Sequence, residues 1–134
     1  MNEGLLYLDS SALVKLVLPE PETGALFELI RLWPERISSS LARVEVLRAV
    51  RRVGENVALR RAEEVVARVG LLGIDTEILS AATRLEPREL RTLDAIHLAT
   101  ALSVGEQLGA MVAYDSRLAR AAERHEMPVL APTA

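Results

Sequence analysis

Short apolar runs alternate with longer stretches of helical periodicity along the whole chain, and this alternation leaves few folds open. Each run is long enough for a buried strand and too short for a helix. The runs cover residues 4–8, 37–39, 71–74, 110–114 and 128–130. Strands that alternate with helices usually pair in parallel, and a parallel sheet needs helices on both faces. The sequence therefore predicts an α/β fold built on a parallel sheet.

Prolines and capping residues mark the ends of the helices that separate these strands. Prolines end the first two helical patterns, because a proline has no amide hydrogen to donate within a helix. An aspartate followed by serine or threonine, typical of a helix N-terminus, precedes three of the seven helical patterns, including the first. We predict helices over residues 11–18, 22–32, 40–53, 56–69, 77–86, 93–104 and 117–125.

The composition restricts the kinds of site that the chain can build. It has no cysteine, which excludes disulfides and thiolate metal sites, and its two histidines are too few for a histidine-built zinc site. Any metal would therefore be a hard cation held by oxygen ligands. For 134 residues, half of them apolar, we expect one domain over residues 1–134 with a core of Leu, Val, Ala and Ile.

The apolar segment near the N-terminus is not expected to direct export. Residues 5–18 resemble the core of a signal peptide, but Asp9 and Lys15 interrupt them and no basic segment precedes them. No apolar run reaches the length of a membrane span. We therefore expect a cytoplasmic protein that makes no membrane contact.

Aspartate is rare in this chain, and its positions point to a site. There are 15 glutamates but only four aspartates: Asp9, Asp75, Asp94 and Asp115. Asp9 and Asp115 directly follow predicted strands, at the carboxyl edge of the sheet where parallel folds bind ligands. Asp94 lies in the first turn of a predicted helix, and Glu45 lies near the start of the helix after the second strand.

Each of these acids alone also has an ordinary structural interpretation. Asp9 and Asp115 could be simple helix caps, and Asp94 could favour a helix N-terminus through the helix dipole. Glu45 could pair with Arg48, one turn further along its helix. For Asp75, we predict the cap role alone.

The convergence of four acids at one edge favours a metal site. Two carboxylates about 4 Å apart repel by roughly 4 kcal/mol at an effective dielectric constant near 20. Several such pairs would rival the stability of a whole small domain, about 5–15 kcal/mol. Mg²⁺ or Mn²⁺ would neutralise such a cluster and could activate water for attack on a phosphate. The sequence therefore predicts that Asp9, Glu45, Asp94 and Asp115 are both metal ligands and catalytic residues.

Arginines flank two of these acids and could hold the phosphates of a substrate. Without the four acids, the net charge of −3 would be +1. Guanidinium groups bind phosphate oxygens without reading sequence. The flanking arginines are Arg84, Arg88 and Arg91 before Asp94, and Arg117 and Arg120 after Asp115.

At these residues the chain resembles the PIN-domain family and, within it, the VapC-type toxins of toxin–antitoxin pairs. The resemblance covers essentially the whole chain, and four motifs in the right order carry it. They are YLDSSALVKL (7–16), SSSLARVEVLRAV (38–50), LRTLDAIHLATAL (90–102) and VAYDSRLARAA (112–122), followed by PVLAP (128–132). Asp9, Glu45, Asp94 and Asp115 occupy the family's four acidic positions, and Ser10 its adjacent hydroxyl position.

The resemblance implies a single PIN-like domain with five parallel strands in the order 3-2-1-4-5. It also implies one or two Mg²⁺ or Mn²⁺ ions and endonucleolytic cleavage of RNA. The expected partners are a second copy of the chain and a cognate antitoxin whose C-terminal segment covers the active-site groove. Thr92 and Ser116, expected first as helix caps, and Arg91 are candidate supporting residues.

Two other classes of protein remain alternatives to a nuclease. The first is an aspartate phosphoacceptor or phosphatase domain, but a receiver domain needs a lysine after its last strand and the only lysine is Lys15. The second is a catalytically inert PIN-like binding module, which would have little reason to keep all four acids.

Three residues near these motifs have a structural interpretation beside a functional one. We expect His97, within an apolar helix, to be packed and hydrogen-bonded and to have no catalytic role. Phe27 and Trp33 could fill the core or form a surface for a partner, and the sequence does not separate these two outcomes.

Overall fold

The computed structural model describes residues 1–134 and contains five strands and seven α-helices in the predicted order. The strands are β1 (Leu5–Leu8), β2 (Arg36–Ser39), β3 (Gly70–Leu72), β4 (Leu108–Val112) and β5 (Val129–Leu130). The helices are α1 (Ser10–Val17), α2 (Thr23–Ile30), α3 (Leu41–Arg51), α4 (Asn56–Ala67), α5 (Thr76–Arg84), α6 (Thr92–Ser103) and α7 (Ser116–Arg124). A single 3-10 turn (Gly105–Gln107) precedes β4.

The five strands form one parallel sheet in the order β3-β2-β1-β4-β5, which confirms the predicted fold class and strand order. The chain leaves β1 toward β2 on one side and later returns to place β4 on the other side. In open parallel sheets, ligands bind at such a switch in direction, beyond the carboxyl ends of the strands. In this fold that position lies between the ends of β1 and β4.

Alternate residues of β1 belong to two different cores, one on each face of the sheet. Leu6 and Leu8 pack in a cluster that draws its other members mainly from α1, α2, α3 and α4. Tyr7 packs in a second cluster with residues of α6 and α7. Because successive strand residues point to opposite faces, helices cover both faces, as predicted.

Two strands end earlier than the sequence pattern suggested. The fourth strand covers Leu108–Val112 rather than 110–114, and the third covers Gly70–Leu72 rather than 71–74. A strand continues only while its neighbour does. β1 gives way to α1 at Ser10, and the ladder between β2 and β3 ends at the pair Ser39 and Leu72.

All three Asp-Ser and Asp-Thr pairs begin helices, and in each it is the aspartate that caps. Asp9, Asp75 and Asp115 accept hydrogen bonds from amides in the first turns of α1, α5 and α7. The prediction that Thr92 and Ser116 are caps is wrong. Both are the first residues inside their helices, and the capping positions belong to Arg91, which makes no side-chain cap bond, and Asp115.

Trp33 belongs to the core, whereas Phe27 remains 41% exposed. Trp33 packs on Gly109 of β4, where a Cβ atom would lie 2.3 Å from the indole ring. Only glycine permits this close approach between the strand and the segment after α2.

No helix combines the length and the apolar character that crossing a membrane requires. The longest helices, α4 and α6, have 12 residues each, against about 20 for a span.

Candidate active site

The four acids predicted from the sequence lie on four different elements at the carboxyl edge of the sheet. Asp9 directly follows β1, and Asp115 follows β4 by three residues. Asp94 lies in the first turn of α6, and Glu45 lies in the second turn of α3. Asp9 is only 4% exposed, Glu45 and Asp94 are half-buried, and Asp115 faces solvent.

Asp94 is the acid in this group on which the charges of the other acids act most clearly. Burial and the charge of Asp115 raise its pKa, and the charge of Glu45 raises it further. The nearby charges of His97 and Arg91 act in the opposite direction, toward ionisation. The charges of Asp115 and Glu45 therefore reach Asp94 at the start of α6.

Asp9 combines a capping role with an unfavourable environment for its charge. Its carboxylate accepts hydrogen bonds from the Ala12 amide at 2.9 Å and the Ser11 hydroxyl at 2.8 Å. Burial nevertheless raises the pKa of Asp9 to about 6, and the charge of Asp94 adds to this effect. Desolvation therefore outweighs the capping bonds, which on their own would hold the pKa down.

Glu45 has the opposite balance and is held in its ionised form. Burial opposes its ionisation, but hydrogen bonds from His97 and Ser10 lower its pKa overall. The Ser10 hydroxyl donates to Oε1 of Glu45 at 2.5 Å, and Nε2 of His97 lies 2.7 Å from the same oxygen. Ser10, which the sequence predicted as a supporting residue, therefore contacts Glu45 directly.

His97 is packed and hydrogen-bonded, as expected, but its partners connect it to the acids. It is 2% exposed, and its Nδ1 atom lies 2.7 Å from the hydroxyl of Tyr7. The sequence contained one signal for this arrangement. Asp94 and His97 are three positions apart, which places both on the same face of α6.

The oxygen chemistry of the acids suits a divalent cation. Asp94 accepts no hydrogen bond from the protein. Glu45 accepts hydrogen bonds only at Oε1 and Asp115 only at Oδ1, so Oε2 of Glu45 and Oδ2 of Asp115 have no protein donor. Such oxygens, in a cluster of like charges, suit Mg²⁺ or Mn²⁺. No three acidic or histidine side chains are close enough to form a ready metal-binding group. The structure thus places the four acids where their charges interact, but does not arrange them around a single point.

Four of the five arginines predicted to hold phosphates line two cavities, and none of the four acids lines either cavity. Arg117 and Arg120 of α7, together with Arg124, line a cavity of about 580 Å³ whose single acid is Glu89. Arg84, Arg88 and Thr92 contribute to a second cavity, of about 650 Å³, between α5 and α6. None of these arginines forms a salt bridge. Ser116 accepts hydrogen bonds from Arg120.

A family model described as "PIN domain" matches residues 6–124 of this chain. The chain belongs to the PIN-domain family. Three relatives of this PIN domain are ribonucleases of Mycobacterium tuberculosis. Ribonuclease VapC46 is 48% identical over 128 residues, which cover 96% of this chain and 98% of VapC46. Ribonuclease VapC35 is 42% identical, with coverage of 96% and 97%, and Ribonuclease VapC47 is 37% identical, with coverage of 85% and 87%.

Two solved structures share the PIN fold. Mycobacterium tuberculosis VapC20, described as a sarcin-ricin loop cleaving toxin, has a TM-score of 0.71 at 20% identity, over 87% of this chain and 94% of VapC20. A chain of a toxin–antitoxin complex from Klebsiella pneumoniae has a TM-score of 0.68 at 19% identity, over 84% of this chain and 88% of that one. The recognition of the VapC branch from sequence motifs is therefore confirmed.

Proposed function

We propose that this PIN-domain protein is a metal-dependent endoribonuclease and the toxin of a toxin–antitoxin pair. The observation that carries the proposal is the placement of Asp9, Glu45, Asp94 and Asp115 on four elements at the carboxyl edge of the sheet, beside the β1–β4 switch. The match to VapC ribonucleases along almost the whole chain supports it.

We assign the four acids as ligands of Mg²⁺ or Mn²⁺. A divalent cation bound there would supply Lewis-acid activation of a phosphate and of a water molecule, the usual contribution of metals to phosphodiester hydrolysis. Asp9 is the most buried of the acids and is fixed by its capping bonds, so it would contribute the most rigid ligand. Asp94, centrally placed and without a hydrogen bond, would be the acid most affected by the cation.

RNA would bind along the arginines that flank the acids. The guanidinium groups of α7 lie on a helix that Asp115 caps. RNA bound by these groups would therefore pass directly from them to the acidic edge of the sheet. Arg91 lies close enough to Asp94 for its charge to act on that carboxylate. Contacts of this kind position the phosphate backbone and leave the choice of cleavage sequence to the shape of the groove.

A cognate antitoxin and a second copy of the chain are the proposed partners. Apolar side chains beside the acids offer a surface for an antitoxin segment: Val44 next to Glu45 is 56% exposed, and Leu93 next to Asp94 is 47% exposed. Exposed apolar groups of this kind mark interaction sites when they lie together. Cellular RNA as substrate would place the activity in the cytoplasm.

Single substitutions at the four acids test the proposal. Asp9→Asn, Glu45→Gln, Asp94→Asn and Asp115→Asn should each reduce Mn²⁺-dependent RNA cleavage by about 100-fold or more, because each removes charge from the metal site. Asp75→Asn is the matched control, since Asp75 is a helix cap of the same kind outside the cluster. Sequencing of the RNA fragments made by the wild-type protein would identify the cleaved bonds.

Wild-type levels of cleavage in all four variants would contradict the assignment of the acids. A folded wild-type protein that binds an antitoxin but cleaves no RNA in Mn²⁺ would instead indicate an inert binding module. Co-expression with the protein encoded beside it should suppress growth arrest if the chain is a toxin.

A further inference from the structure

A continuous chain of hydrogen bonds runs from the buried core to one of the proposed metal ligands. The Tyr7 hydroxyl lies 2.7 Å from Nδ1 of His97, and Nε2 of His97 lies 2.7 Å from Oε1 of Glu45. The chain joins β1, α6 and α3 through side chains that are 90 and 52 positions apart in the sequence. Tyr7 is fully buried and His97 nearly so.

The contacts at Glu45 fix one hydrogen position in this chain. An ionised Glu45 can only accept, so Nε2 of His97 must carry the hydrogen that it donates to Oε1. Burial raises the pKa of Tyr7 far above its usual range, so the phenol keeps its proton. Nδ1 of His97 lies within hydrogen-bond distance of that hydroxyl, which holds the far side of the imidazole ring in place.

This arrangement fixes which oxygen of Glu45 is free. Oε1 receives hydrogen bonds from both His97 and the Ser10 hydroxyl, whereas Oε2 receives none from the protein. The carboxylate is therefore held against rotation by two donors on one oxygen. The other oxygen remains available to a cation.

We propose that His97, oriented by Tyr7, is a positioning residue that holds Glu45 as a one-oxygen metal ligand through Oε2. The proposal rests on the proposed function, since it concerns the same acidic site. His97 does not touch the RNA or exchange a proton with it. It fixes the orientation of a ligand, and partners of metal ligands typically change metal affinity or activity by about 10- to 100-fold.

Two substitutions of His97 separate positioning from packing. A glutamine amide can place its nitrogen near the position of Nε2 and still donate to Glu45, whereas an asparagine is one bond shorter and reaches only the position of Nδ1. His97→Asn should lower kcat by about 10- to 100-fold with a KM for RNA within about twofold of wild type, and should weaken Mn²⁺ binding about tenfold. His97→Gln should recover most of both losses.

Thr100→Ala serves as the control for packing in the same helix. Thr100 is fully buried, and its hydroxyl bonds only to the Ile96 carbonyl within α6. The variant should lose thermal stability comparably to His97→Asn while keeping kcat and Mn²⁺ affinity. If His97→Asn does not fold, Tyr7→Phe tests the same chain from its other end and should give a smaller loss of kcat in the same direction.

A metal-free readout tests the proton arrangement directly. The protein has two histidines, so ¹⁵N spectra of the imidazoles can be assigned with His125→Gln. His97 should show a hydrogen on Nε2 in wild type, because donation to Glu45 requires it. Calorimetric titration with Mn²⁺ alone supplies the affinities without RNA.

The outcomes distinguish this proposal from the proposed function. Wild-type protein that neither binds Mn²⁺ nor cleaves RNA would overturn both. Active wild-type protein with equal kcat and Mn²⁺ affinity in His97→Asn, or with equal losses in the Gln and Asn variants, would overturn the positioning role alone. An Nε2 atom of His97 that carries no hydrogen in the wild-type protein would also overturn it.

Discussion

Asp9 has two roles that make opposite demands on its environment. As a cap, it accepts hydrogen bonds from Ala12 and Ser11 and thereby stabilises the start of α1. As a member of the acidic group, it carries a charge that is almost completely removed from water and lies within the field of Asp94. A neutral residue that can still cap would stabilise the fold, so the charge itself is retained at the expense of stability.

Asp9→Asn should stabilise the metal-free protein by up to about 3 kcal/mol near pH 7.5, because asparagine caps as well as aspartate and carries no charge. The folded-state pKa of about 6 lies above the ordinary aspartate value of 3.8, so ionisation destabilises the folded state. This destabilisation is full above pH 6 and declines as the pH falls toward 4. The gain should therefore shrink to about 1 kcal/mol near pH 4.5. Urea unfolding at the two pH values, in the presence of a chelator, measures both gains.

Two further variants act as controls for this prediction. Asp9→Ala should gain about 1 kcal/mol less than Asp9→Asn, since alanine removes the charge but also loses the cap. Asp75→Asn changes an exposed cap outside the cluster and should alter stability by no more than about 0.5 kcal/mol at either pH. A loss of stability in Asp9→Asn near pH 7.5 would show that the charge of Asp9 supports the fold.

At the scale of helices and strands, the sequence predicts elements well and contacts between distant elements poorly. Periodicity and capping residues are local, so the order of all twelve strands and helices could be predicted. The end of β4 depends on where β1 stops, which lies far away in the chain. The bond between His97 and Glu45 likewise joins positions 52 residues apart, and no local pattern determines it. The motif spacing identified the four acids. The difference in burial between Asp9 and the exposed Asp115 could be seen only in the fold.

Helix α7 presents a row of unpaired positive charges next to the acidic edge. Arg117, Arg120 and Arg124 recur at spacings of three and four, so they share one face of the helix. They are exposed, form no salt bridge, and line the same cavity. These arginines form no salt bridge and lie next to a site proposed to cleave RNA. We therefore expect them to bind the phosphate backbone of RNA.

Replacing Arg117 and Arg120 with glutamine should weaken RNA binding and make it less sensitive to salt. For single strands, the slope of log K against log salt falls by about 0.7 for each phosphate contact that is lost. Fluorescence anisotropy with single-stranded RNA, in an Asp94→Asn background that does not cut the probe, measures the slope. The double variant should lower it by about 1.4.

Arg60→Gln with Arg61→Gln is the matched control for the α7 variants. These two exposed arginines lie on α4, which packs on the other face of the sheet. The control has the same change in net charge and should leave the slope within about 0.3 of wild type. Equal reductions of the salt slope in the two double variants would mean that RNA binding depends only on the overall charge of the protein and not on a binding path along α7.

At the scale of the whole molecule, the strand order concentrates negative charge at one place. β1 and β4 are neighbours although about 100 residues separate them, so Asp9 and Asp115 reach the same edge. The alternation of strands and helices predicted a parallel sheet, but the order of its strands came from the family resemblance, because crossover directions leave no local pattern. A fold in which the charges of four acids interact without a metal is less stable than one in which they do not, so the metal and the folded state should stabilise each other.

Divalent metal should therefore raise the melting temperature of the wild-type protein in a saturable manner. At a free Mn²⁺ concentration 100 times the dissociation constant, linkage gives about 2.7 kcal/mol, or roughly 10 °C for a domain of this size. A variant carrying Asp9→Asn, Asp94→Asn and Asp115→Asn should melt above the metal-free wild type, because the repulsion is gone, and should not respond to Mn²⁺.

As a control, Asp75→Asn should respond to Mn²⁺ as the wild type does. Sodium chloride at matched ionic strength separates site binding from screening. If the triple variant melts no higher than the metal-free wild type and Mn²⁺ shifts neither protein, the acids serve only as helix caps and surface charges.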